Sequence, residues 1–148
     1  MGQIDLTTSS ASKGGRDTDQ RRLATLLESL PPHAIEAEVS LLGSILLDPN
    51  VIADVVQVIS SDADFFKPAH AALYSAAVRI YEDHSVVDIN LLIQHCQDNN
   101  TLEAVGGVEY LVHVADSVPT SAHAVHYARL VKEKAVIRQL IEAAGHIL

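Results

Sequence analysis

The chain has 148 residues, 48% of them hydrophobic, and a net charge of −9, which suits one domain with its own core and excludes wholesale disorder. Its single cysteine, Cys96, cannot form an internal disulfide, and no run of roughly eighteen apolar residues is present for a membrane span, so the chain reads as cytoplasmic. Charge is uneven: between Pro31 and Pro119, Lys67 and Arg79 face thirteen carboxylates, a net −11, whereas from Thr120 onward four basic residues face two acidic ones. The acidic part is repelled by phosphate backbones, which argues against autonomous DNA binding.

Residues 1–30 begin with Ser, Thr, Gly and charged side chains lacking apolar periodicity, and read as a disordered or weakly ordered leader in which Leu23, Leu26, Leu27 and Leu30 could form a turn or two of helix. Pro31-Pro32 then opens a helix whose face carries Ile35, Val39, Leu42 and Leu46, with Glu36 and Glu38 near the positive end of its dipole. Gly43 lies inside that helix, where it costs about 1 kcal/mol relative to Ala, so a second backbone is expected to pass close by. Asp48-Pro49 starts a second helix over Val51, Ile52, Val55, Val56 and Ile59. Phe65 and Phe66 are expected in the core, and Pro68 opens a helix carrying Leu73, Ala76, Ala77, Ile80 and Tyr81.

Asp88 caps a further helix with Ile89, Leu92, Ile93 and Cys96, broken by Asn99-Asn100. Leu102 to Val105 supplies one more turn, Gly106-Gly107 a bend, and Val108 to Ala115 a short helix ended by Pro119. Thr120 or Ser121 caps the last helix. Alternation with period two is absent, so the fold class is all-α: a compact helical domain over residues 31–119, then a long helix over 120–148 that begins a helical hairpin.

On a helical wheel Leu130, Val136, Ile137, Leu140, Ile141, Ala144, Ile147 and Leu148 share a stripe about 140° wide. The helix, about 40 Å long, outreaches the small domain before it. Tyr127, Leu130, Ile137, Leu140, Ile141, Ala144 and Leu148 are therefore the expected association interface, for a second copy or a following hairpin helix, in a sequence that reads as a truncated fragment.

The run P-P-H-A-I-E-A-E-V-S-L-L-G-S from Pro31 to Ser44 resembles the opening helix of the N-terminal domain of the bacterial replicative helicase DnaB. Asp64-Phe65-Phe66 with His70 and Tyr74, Asp88, Gly106-Gly107-Val108-Glu109-Tyr110-Leu111, Pro119-Thr120, Tyr127-Ala128 and Val131 to Arg138 are similar to later segments of that family. The resemblance covers residues 31–148. It implies a non-catalytic collar domain of a ring-shaped helicase that supports ring assembly and docks primase and the helicase loader. ATP and magnesium belong, on the same resemblance, to a C-terminal RecA-like domain, and DNA is reached only through the full-length protein.

No G-x-x-x-x-G-K-[ST] loop or nucleophile elbow can be written from these residues, so neither catalytic nor cofactor-binding residues are assigned. His123 and His126 have helical ligand spacing, but no Cys, Asp or Glu completes the set, and the adjacent His95 and Cys96 point apart on a helix, so no metal site is assigned. The competing reading is a helical adaptor or dimeric regulatory domain unrelated to helicases.

Overall fold

A computed structural model describes residues 15–22 and 30–147 and divides the chain into two units, residues 1–31 and 32–148. Within the first unit, residues 15–22 form a short exposed helix, α1, and the expected turn through Leu23, Leu26 and Leu27 lies outside the described residues. The second unit is helical throughout its regular structure: α2 (Ile35–Leu47), α3 (Ile52–Val55), α4 (Pro68–His84), α5 (Ile89–Asp98), α6 (Gly107–Ala115) and α7 (Ala124–Ile147).

The punctuation marks act as elementary chemistry dictates. The Asp48 carboxylate accepts from the Asn50 N–H at 3.1 Å, opening a 3-10 turn, Pro49–Val51, at the proline. The expected second helix is shorter than its apolar run: α3 has only four residues, because β-branched Val and Ile fill the segment and bonds tighten to i→i+3 spacing at Gln57 and Val58. Ile59 nevertheless reaches the core. Pro68 occupies the first turn of α4, and Asp88 caps α5 by accepting from the Leu91 N–H at 2.8 Å. Gly106 and Gly107 have φ of 108° and 79°, a left-handed pair that turns the chain into α6.

At the centre lies α2, packed against α4, α6 and α7. Gly43 is where α2 meets the end of α6: a Cβ there would lie 2.2 Å from Ser117 Oγ and 2.5 Å from the Val114 carbonyl oxygen. The close backbone expected from the sequence is present. The buried face of α2, however, is rotated from the expected one. Ala37, Glu38, Leu41, Leu42 and Ile45 are buried, whereas Ile35, Val39 and Leu46 are only half-buried. The sequence assigns Glu38 only to the positive end of the helix dipole, outside the apolar face, and its burial goes with a face turned toward Leu41 and Ile45.

The last helix also departs from expectation. Ala124, Ala128 and Val131 of α7 are buried in the same core as Leu73 and Leu111, and Ala135 is buried beyond them, so the first half of this helix is part of the domain, and residues 32–148 form one compact unit. Phe65 is buried as expected, but Phe66 is half-buried at the surface, stacked on His33 with ring centroids 4.8 Å apart.

Candidate association surface

Two polar networks hold the domain in shape, and the second of them ties in the middle of α7. In the first, Glu38 is buried in the core and accepts from the backbone N–H groups of Phe66 at 2.7 Å and Lys67 at 3.3 Å. His70 Nδ1 lies 2.8 Å from the same carboxylate, and His70 Nε2 meets the Tyr110 hydroxyl. The Lys67 ammonium donates to that hydroxyl at 3.3 Å and sits 4.4 Å from the ring centre. Lys67 donates to Tyr110 and Nδ1–H donates to the Glu38 carboxylate, and a neutral imidazole then accepts at Nε2 from the Tyr110 hydroxyl. Glu38, His70 and Tyr110 come from the opening helix, the D-F-F-x-x-x-H segment and the G-G-x-x-Y-L segment, and their convergence joins α2, α4 and α6.

The second network joins α7 to the turn before α4. Lys132 Nζ lies 3.1 Å from the buried Asp64 carboxylate and 3.2 Å from Ser60 Oγ. Arg138 donates to the Pro32 carbonyl at 2.8 Å and to the Asp64 carbonyl at 2.9 Å, with its guanidinium 5.6 Å from the Phe66 ring centre. Two of the four basic residues after Thr120 thus neutralise or cap the acidic domain's own groups. Among the described residues no buried side-chain nitrogen or oxygen lacks a partner.

The surface of α7 has two apolar faces. Ala124, Ala128, Val131 and Ala135 recur at intervals of four and three and lie against the domain. At 100° per residue, Val136, Ile137, Leu140 and Ala144 fall on roughly the opposite side of the helix. There, Leu140 is 65% exposed and Val136 39%, while Ala144 is also exposed and Ile137 half-buried; Ile141, on the flank between the two faces, is 58% exposed. Tyr127 and Leu130, assigned to the association stripe from sequence, instead pack against the domain core. Leu148 lies outside the described residues. The line of small residues that seats α7 is easily missed in the sequence because three alanines carry little hydrophobic signal beside Leu and Ile, although their spacing of four and three is readable.

Among the described residues no group of three or more His, Cys, Asp or Glu is placed to hold a metal ion, and no helix is long and apolar enough to cross a membrane. Cys96 is buried, and burial pushes its thiol up, away from thiolate reactivity.

Comparison with known proteins places this architecture. Residues 30–133 match the family described as DnaB-like helicase N terminal domain. The replicative DNA helicase DnaB of Geobacillus stearothermophilus is 38% identical over 120 residues, covering 81% of this chain and 26% of that protein. The replicative DNA helicase DnaC of Bacillus subtilis is 37% identical over 122 residues, covering 82% of this chain and 27% of that protein. The chain thus spans about a quarter of the length of these curated relatives. The crystal structure of the N-terminal domain of DnaB helicase from Mycobacterium tuberculosis superposes with a TM-score of 0.76 at 36% identity, covering 80% of this chain and 85% of that one. The reading as an adaptor unrelated to helicases is not favoured by these matches. With the fold, the signature segments and the solved homologue in agreement over the same residues, the chain belongs to the DnaB-like helicase N-terminal domain family.

Proposed function

We propose that this chain is the collar domain of a hexameric replicative DNA helicase, and that the exposed outer face of α7 is where it pairs with a second helix. The observation that carries the reading is the pair of apolar faces on α7. The domain occupies the face of Ala128 and Val131, so it cannot also cover Leu140 on the other side, and Ile141 on the flank is left exposed as well. Burying a Leu or Ile side chain contributes about 1.5 to 3 kcal/mol, and pairing of helices is the means available to a stripe of this kind. The occupant is the outer face of a second copy or a following hairpin helix. Membership of the family supports the remaining roles: docking of primase and the helicase loader on the collar, in the cytoplasm, with ATP, magnesium and DNA handled by a C-terminal RecA-like domain of the parent protein.

The test is the solution mass of the chain and of a Leu140→Asp/Ile141→Asp variant, measured by light scattering across a concentration series. Ile137, half-buried, is left intact so that the domain itself is undisturbed. The expected result is association of the parent chain and a monomeric variant with unchanged helicity and melting temperature. A variant that associates as the parent does places the interface elsewhere.

A further inference from the structure

The domain-facing line of α7, Ala124, Ala128, Val131 and Ala135, continues at the same spacing to Arg138. At that point the helix passes from buried to exposed: Ala135 is buried, Arg138 half-buried, and Gln139 through Gly145 are exposed. An apolar residue would be the expected next member of the line. A guanidinium stands there instead. Its two nitrogens reach two carbonyls from separate segments, Pro32 before α2 at 2.8 Å and Asp64 before Phe65 at 2.9 Å, while its Cζ sits over the Phe66 ring, 5.6 Å from the centre. His33 stacks on the same ring at 4.8 Å.

We propose that Arg138 is a positioning residue that sets the direction in which the outer half of α7 leaves the domain. Both carbonyls precede elements that carry the core, so the planar fork of the guanidinium registers α7 against two independent parts of the domain at once. A single donor of any kind fixes a distance; two donors in one rigid plane, with an aromatic face beneath, also fix a rotation. Lys132, a flexible stem reaching Asp64 and Ser60 nearly two turns earlier, secures the helix along its length but cannot set the angle of its outer half. The consequence for a paired collar, that the angle between two domains is held by Arg138 of each, rests on the reading of α7 as the pairing helix. The positioning itself does not.

The experiment measures geometry within one chain. Spin labels at Glu82→Cys on α4 and Ala143→Cys on the outer half of α7, both exposed positions, report the distance between α4 and the outer half of α7, and the buried native Cys96 stays unlabelled. Labelled chain is diluted in unlabelled chain so that only intrachain distances are read, which keeps the result independent of whether the chains pair. The expected result is one narrow distance distribution for the parent and a distribution at least twice as wide for Arg138→Met, which keeps the stem and removes the donors. Arg138→Lys, with charge but no fork, is expected to broaden it as well. If Arg138→Met loses the fold, the lysine variant carries the test. An unchanged distribution in the folded variant, with only a lowered melting temperature, would mean that Arg138 adds stability without directing the helix, and overturns the proposal.

Discussion

His70 Nδ1 lies 2.8 Å from Glu38 Oε1 with both side chains fully enclosed, so a residue from the first core helix and one thirty-two positions later are joined by a hydrogen bond no water reaches. Glu38 also holds the two backbone N–H groups that lead into α4. Removing the carboxylate by Glu38→Ala strands two amide donors and one ring nitrogen, and the expected loss is about 3 to 5 kcal/mol. Denaturant unfolding measures it. A double-mutant cycle with His70→Ala is expected to show strong coupling, since the second substitution removes a group the first has already orphaned.

Gly43→Ala ought to help a helix by roughly 1 kcal/mol on propensity alone. The structure reverses the sign. The added methyl would lie 2.5 Å from the Val114 carbonyl oxygen, which is backbone, and 2.2 Å from Ser117 Oγ, which already donates to Val114 and Val39. Overpacking of this kind costs about 1 to 3 kcal/mol, and a lowered melting temperature is the expected outcome. Ser117→Ala in the same chain relieves only the side-chain clash, so partial rescue at most is expected.

The neighbours Phe65 and Phe66 are predicted to respond differently. Phe65 is buried and packs at 5.0 Å from the Tyr74 ring, so Phe65→Ala is expected to cost about 3 to 5 kcal/mol. Phe66 is half-buried between His33 and Arg138, and Phe66→Ala is expected to cost about 1 to 2 kcal/mol, mostly in ring contacts. Thermal unfolding of the two variants side by side decides; equal losses would mean that Phe66 is a core residue after all.

These contrasts show what the sequence could reveal. Local chemistry was legible: Pro68 opening α4, Asp88 capping α5 and the Gly106-Gly107 bend all act over a few residues, and the structure has each of them. The facing of helices was less so. Glu38 reads only as a carboxylate suited to the helix dipole until His70 and the Phe66 N–H are brought to it by tertiary folding, and with it the buried face of α2 shifts from Ile35 and Val39 to Leu41 and Ile45. On α7 the exposed stripe of Leu140 and Ile141 was visible as hydrophobicity, whereas the seat made by Ala124, Ala128 and Ala135 was visible only as spacing. Small residues signal close approach, and hydrophobic patterning weighs them too lightly to separate the two faces.

Tyr74 gives the chain an alkaline limit. Its hydroxyl donates to the Ile59 carbonyl at 3.1 Å in the core. Burial, with a smaller contribution from the negative charge of Asp64, pushes its pKa from the ordinary 10 up to about 12. The folded state therefore holds this proton more tightly than the unfolded chain does. The stabilisation it contributes is complete below pH 10 and is lost as pH rises from 10 toward about 12, because the unfolded state ionises first. Equilibrium unfolding followed across this window is expected to show stability falling with pH, and Tyr74→Phe, which cannot ionise, is expected to flatten that part of the slope while losing the bond to Ile59. Phenolate absorbance supplies the second readout: the parent retains one late-ionising tyrosine until the fold gives way, and the phenylalanine variant does not. An identical pH slope in parent and variant would show that Tyr74 exchanges its proton as freely in the folded chain as in the unfolded one.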